Sequence, residues 1–141
     1  MSGNYSCGAL LKQIHDIMEK NANNVLREQD LTISQSGVLV LLDDKEGKTA
    51  TFKELEKAFG VSQPTMVGIL NRLAQKNLVE VLTDSEDKRI RKAHLTDKGT
   101  DKCKEGYKHM GLAEERLLIS LTDDEKNEFE RLLLKVRKSF D

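Results

Sequence analysis

Tryptophan is absent from the 141-residue chain, which has only two tyrosines and four phenylalanines. So few aromatic faces leave no platform on which successive bases could stack, which argues against a single-strand nucleic-acid binder. Cysteine is scarce too. Cys7 and Cys103 cannot build a disulfide framework, and neither belongs to a Cys-x-x-Cys zinc or redox pair. The longest apolar run, Gly37 to Leu42, is far too short to cross a bilayer, so no membrane partner is expected. The first residues show no basic stretch followed by an apolar core, so a secretory signal is not expected and a cytoplasmic location is. Neither a Ser/His/Asp order nor a Gly-rich phosphate loop nor a pair of buried carboxylates is apparent, which argues against an enzyme.

What is present is helical. A single proline, with abundant leucine, lysine and glutamate, favours helices. A composition 38% hydrophobic and 33% charged, at net charge −1, suits one folded domain. Residues 7–26 place Cys7, Leu10, Leu11, Ile14, Ile17, Met18, Ala22 and Val25 at the 3–4 spacing of an apolar stripe. Ser34 is a candidate N-cap for a second helix built on Gly37–Leu42, and residues 43–48 read as a polar loop. The Thr51-x-x-Glu54 spacing is a capping box that opens a short helix ending at Gly60. Ser62 caps the next helix, whose inner face is Met66, Ile69, Leu70 and Leu73, and Asn77 ends it. The period then changes to that of strands at residues 78–82 and 90–95, joined by a polar turn. A long helix follows over residues 97–119, and the Thr122-x-x-Glu125 box opens a last one carrying Phe129, Leu132, Leu133, Val136 and Phe140.

Two short helices joined at Gly60-Val61 have the form of a helix-turn-helix, in which the second helix offers its N-terminal residues to a DNA major groove. Enzymes contain such helix pairs as well. The hairpin that follows is what makes the pattern distinctive, because Lys88-Arg89-Ile90-Arg91-Lys92 sets four cations in five residues at its tip. A groove-reading helix beside a basic hairpin is a winged helix. Residues 62–99 carry seven Lys/Arg against five Asp/Glu, a balance of +2, while the rest of the chain sums to −3. The basic run also fits a solvated hairpin tip with no partner.

Three stretches resemble the MarR family of transcriptional regulators. They are Leu31 to Gln35; Glu54-Leu55 through Ser62-Gln63-Pro64-Thr65 to Arg72-Leu73; and Asp84 to Arg89 with Leu95-Thr96-Asp97-Lys98-Gly99. The resemblance covers essentially the whole chain. It implies a mainly α fold with a small β-hairpin wing, a winged helix-turn-helix carrying N- and C-terminal dimerisation helices. Residues 1–141 then form one domain, with a DNA-binding lobe at 32–99 and dimerisation helices at 1–31 and 100–141. The implied protein is a homodimer on a pseudo-palindromic double-stranded operator, most often a repressor released by a small-molecule effector. Wide apolar stripes at residues 7–26 and 123–140 agree with pairing of two subunits, although the two helices could equally pack on each other.

With that resemblance, Ser62, Gln63, Pro64 and Thr65 open the recognition helix, where free N–H groups suit phosphate oxygens. Gln63, Thr65, Asn71 and Arg72 are its outer polar side chains, able to reach base edges or phosphates, and Ser62 and Thr65 also fit pure capping. In the wing, Asp87 is expected to hold the guanidinium of Arg89 for entry into the minor groove. Lys88, Arg91 and Lys92 are read as phosphate contacts, with strand alternation aiming only one of Arg91 and Lys92 at DNA. The chain departs from the family where Gly68 replaces a common arginine, where Val81 and Leu82 replace arginines, and where Asn77 replaces a glycine.

No cofactor is expected. Cys7 opens the first helix, where a helix N-terminus favours the thiolate, so a cysteine-based redox-sensing regulator of the same fold is one alternative. The resemblance extends to the family's peroxide-sensing branch, which carries its reactive cysteine near this point, but Leu11 and Asn21 stand where the partner tyrosines are expected. His15 either lines an effector pocket or simply packs. His94 and His109 are scattered, and Glu105 with His109 supplies only two ligands, so no metal site is expected. A second alternative is a winged-helix protein-interaction module without DNA binding, supported only by Gly68, Val81 and Leu82.

Overall fold

The structure is a computed structural model that describes residues 6–141. Its elements in chain order are α1 (Cys7–Glu28), α2 (Ile33–Asp44), a 3-10 turn at Glu46–Lys48, β1 (Thr49–Thr51), α3 (Phe52–Phe59) and α4 (Gln63–Gln75). β2 (Val79–Thr83), β3 (Arg91–Leu95), α5 (Asp97–Leu118) and α6 (Asp123–Lys138) complete the chain. Helix dominates, and the three strands form one antiparallel sheet in the order β1-β3-β2. The chain divides into a unit that runs to Tyr107 and a second over Lys108–Asp141.

The first unit owes its shape to one core. Val38, Leu39 and Leu42 of α2 meet Leu55 of α3, Met66, Leu70 and Leu73 of α4, and Leu78, Ala93 and Leu95 of the sheet. Nearly every one of these side chains is fully removed from water, which stabilises the unit by about 1.5–3 kcal/mol per large apolar residue. Both short helices of the pair are thereby held from behind, leaving their other faces in solvent. The fold carries its caps in the sequence itself. Thr51 accepts from the Glu54 N–H at 3.1 Å while the Glu54 carboxylate accepts from the Thr51 N–H at 3.3 Å. Thr122 and Glu125 repeat this reciprocal box at 3.2 and 2.9 Å in the second unit.

Three local expectations are corrected. Thr32 rather than Ser34 caps α2, because Gln35 lies three residues after Thr32 and completes a capping box. Residues 43–48 are not all loop, since α2 runs to Asp44 and the 3-10 turn follows. The hairpin gains a third strand, β1, whose Ala50 pairs with Ala93 of β3, both of them buried. Three residues are too few to show a period, so β1 exists only because β3 offers it an edge. Asn77, at φ 62°, takes the left-handed conformation that asparagine tolerates and ends the α4 region as expected.

The motif Leu95-Thr96-Asp97-Lys98-Gly99 has a structural basis. The Thr96 hydroxyl donates to the Asn77 carbonyl at 2.7 Å and accepts from the Gly99 N–H at 3.0 Å, while the Thr96 N–H donates to the Leu78 carbonyl at 3.1 Å. This junction fastens the start of α5 to the root of the wing. Further along α5, the Tyr107 hydroxyl donates to Asp43 at 2.8 Å, and Lys48 reaches both Asp43 (3.5 Å) and the Thr100 hydroxyl (2.9 Å). The Asp43 carboxylate and partial burial push the Tyr107 phenol up to about 12.

Candidate nucleic-acid interface

The turn between α3 and α4 is set by Gly60, which sits at φ 62° and lets the Val61 N–H close on the Glu56 carbonyl at 3.1 Å. Ser62 then caps α4, accepting from the Thr65 N–H at 3.4 Å, and its hydroxyl lies 3.0 Å from that of Thr65. Pro64 fits the first turn, where no N–H is needed. With Met66, Leu70 and Leu73 buried, Gln63, Pro64, Thr65, Gly68, Asn71 and Arg72 are left exposed on the outer side. The outer face is polar and uncharged apart from Arg72.

Gly68 lies in the middle of this exposed face, and a Cβ added there would meet nothing within 4 Å. Gly68→Ala is therefore expected to raise stability by about 1 kcal/mol through helix propensity, read as a higher denaturation midpoint at unchanged slope.

The wing tip is organised by two carboxylates. Asp84 accepts from the N–H groups of Glu86 (3.1 Å) and Asp87 (3.0 Å), and its other oxygen lies 2.8 Å from the Lys92 ammonium. Asp87 accepts from the Arg89 N–H at 3.0 Å and holds its guanidinium with both oxygens, at 3.0 and 3.1 Å. These contacts hold both carboxyls below the ordinary aspartate value: Lys92 and the two N–H donors act on Asp84, and Arg89 acts on Asp87. The Arg89 side chain remains 91% exposed, so it is oriented without being buried.

Lys92 is half-buried at the wing. It is tied into the wing's own turn by Asp84, and the alternation that turns it aside leaves Arg91 exposed. Asp84 itself was not singled out by the sequence reading, although an Asp two residues before a turn N–H is a readable Asx-turn signal. Val81, Leu82 and Ile90 are exposed apolar residues on the wing. Arg91 lies over the ring of Phe52, its guanidinium carbon 4.6 Å from the centroid. A cleft of about 540 Å³ opens between the start of α3, Gln63 of α4 and the wing residues Asp87, Arg89 and Arg91.

The remaining candidates lie elsewhere. Cys7 is exposed in the first turn of α1, where Ser6 caps the helix by accepting from the Ala9 N–H at 3.1 Å. His15 is exposed on α1 with Nε2 3.6 Å from Glu19, away from the cleft beside the wing. His94 Nδ1 lies 2.9 Å from the Thr49 hydroxyl, within the sheet. Cys103 is buried in the core, which pushes its thiol up to about 11. A second cleft, of about 600 Å³, separates the end of α1 from the start of α2 and has Arg27, Thr32, Ser34 and Lys76 on its walls. Lys76 is held there by the buried Gln35 side chain at 3.0 Å and by the Asp30 carbonyl.

A helix pair braced by one core, with a twin-strand wing and a third short strand paired at its edge, defines a winged helix-turn-helix protein. A model of the MarR family matches residues 29–90. The multiple antibiotic resistance protein MarR of Escherichia coli strain K12 is 30% identical over 130 residues, covering 92% of this chain and 89% of the relative. The crystal structure of the apo form of MarR from E. coli superposes with a TM-score of 0.78 at 29% identity, covering 94% of this chain and 96% of that one. MepR, a transcription regulator of the Staphylococcus aureus multidrug efflux pump MepA, gives a TM-score of 0.86 at 23% identity, covering 97% and 100% of the two chains. The structure of a MepR–DNA complex gives 0.76 at 24% identity, covering 96% and 98%. The chain belongs to the MarR family of transcription regulators.

Proposed function

We propose that this regulator binds double-stranded DNA as a homodimer and acts as an effector-responsive repressor. Ser62, Gln63, Pro64, Thr65, Asn71 and Arg72 present the recognition face, with Gly68 allowing close backbone approach, and Asp87, Lys88, Arg89 and Arg91 form the wing contact. The observation that carries this reading is the pairing of an exposed polar α4 face with a tip arginine already oriented by a bidentate carboxylate. An arginine ordered before binding loses less rotamer freedom on contact. The likeness of this fold to that of MepR in a MepR–DNA complex supports the reading.

Dimerisation is supported by apolar surface. Leu10, Leu11, Ile14, Ile17 and Met18 of α1 are exposed in the single chain, and so are Leu132, Leu133, Leu134 and Val136 of α6. Surface of that kind calls for a partner. Two recognition helices in a symmetric dimer meet successive major grooves about 34–36 Å apart. An effector releases the operator by binding better to a dimer whose helices are mis-spaced, and its differential affinity for the two states sets the size of the shift.

Fluorescence-anisotropy titration against the DNA upstream of its own gene, alongside sedimentation equilibrium, tests the reading. Expected are a mass twice the 16.0 kDa of one chain and operator binding that weakens steeply with salt. A monomer, or no duplex binding at low salt, overturns it, and the second result would leave the protein-interaction module.

A further inference from the structure

We infer that Phe52 is the positioning residue for Arg91, and that Arg91 held on its ring is the principal phosphate contact of the wing; this rests on the duplex-binding reading above. The wing's cations are held in different ways. Arg89 gives Nε and one terminal nitrogen to Asp87, whose negative charge offsets its own. Lys92 is paired with Asp84 at 2.8 Å. Neither Lys88 nor Arg91 has a carboxylate within ion-pair distance among the described residues, and of the two only Arg91 is held in place, its guanidinium lying over an aromatic face.

That difference matters for binding an anion. An aromatic ring attracts a cation through its quadrupole without cancelling the charge, and a guanidinium stacked on a ring keeps its N–H donors free at the edge. A carboxylate that orients an arginine takes up donors and adds a negative charge that a phosphate must then approach. Phe52 is a rigid support because it is only 6% exposed, wedged at the first turn of α3 behind its Thr51 cap. β1 runs into α3 at this point and pairs with β3 through Thr51 and Lys92, so ring and arginine are carried on adjacent, hydrogen-bonded segments. The cleft beside them opens toward Gln63 at the start of α4. That cleft also carries the Glu56 and Asp87 carboxylates, so a backbone phosphate would sit at its Arg91 and Gln63 side, touching recognition helix and wing together, and Phe52 couples the two contact elements.

The test is the affinity of the full-length protein for a fluorescently labelled random-sequence duplex, measured across a salt series for four proteins: wild type, Phe52→Leu, Arg91→Ala and the double variant. Arg91→Ala is expected to lower the log–log salt slope by about 1. Phe52→Leu, which keeps an apolar side chain in the core and removes the ring face, is expected to weaken binding about three- to five-fold. It should have no further effect once Arg91 is gone, and Phe52→Tyr should restore wild-type affinity. Equal losses from Phe52→Leu in both backgrounds, or an unchanged slope in Arg91→Ala, would overturn the inference. Should Phe52→Leu fail to fold, Phe52→Met replaces it under the same criterion. If wild type binds no duplex in a salt-dependent manner, the duplex-binding reading fails and this inference with it; salt-dependent binding without coupling between Phe52 and Arg91 rejects this inference alone.

Discussion

Arg89→Ala is expected to weaken operator binding by about 1–3 kcal/mol, a loss of roughly five- to 150-fold. The argument starts at the tip of the hairpin, where the Asp87 carboxylate holds the guanidinium through two hydrogen bonds and also accepts from the Arg89 N–H. Truncation removes the cation that Asp87 orients, and leaves a carboxylate facing the phosphates. Both changes oppose binding. Asp87→Ala keeps the cation and loses its orientation but also removes a negative charge near the phosphates, so its effect should be the smaller of the two. The pair survives mild acid: the folded Asp87 carboxyl titrates below the ordinary 3.8, so the order it confers is complete above that value and is lost only as pH falls through the depressed one. Affinity measured by anisotropy should therefore show the same Arg89→Ala penalty at pH 7 and pH 5. No penalty at either pH on any duplex would remove the wing from the interface.

Gly99→Ala is expected to destabilise the folded protein by about 2–3 kcal/mol or more, measured by urea unfolding. A Cβ on Gly99 would lie 2.2 Å from the Leu78 carbonyl oxygen and 2.6 Å from the Leu95 side chain. The Leu95 side chain can turn aside, whereas the Leu78 carbonyl is main chain and is already bonded to the Thr96 N–H at 3.1 Å. Relief requires the first turn of α5 to lift away from the root of the wing, which breaks the Thr96 cap. Gly68→Ala is the control, since the same chemical change is made there in open space and the opposite sign is expected. A Gly99→Ala protein as stable as wild type would show that the close approach at this junction is not needed.

Much of the local structure around the candidate site was legible because its signals are local. A Thr or Ser followed three residues later by Glu, Gln or a free N–H identifies a helix start from a handful of residues, and this held for Thr51, Ser62 and Thr122. Gly60 and Asn77 marked their turns for the same reason, being residues at ease at positive φ. The bidentate Asp87–Arg89 contact spans two positions, and the resemblance to the family named its partners. At α2 two hydroxyl residues competed, and only the position of Gln35 decided for Thr32.

Chain order alone thus settled the starts of α3, α4 and α6, the turn before α4 and the charged wing tip, because each depends on groups a few residues apart. Folding in three dimensions decided the rest. β1 needed the edge of β3, Lys92 needed Asp84 across the hairpin, and Arg91 needed the face of Phe52 from another element. Such contacts are chosen by which backbone surfaces come together once the core closes, and no short-range propensity encodes them.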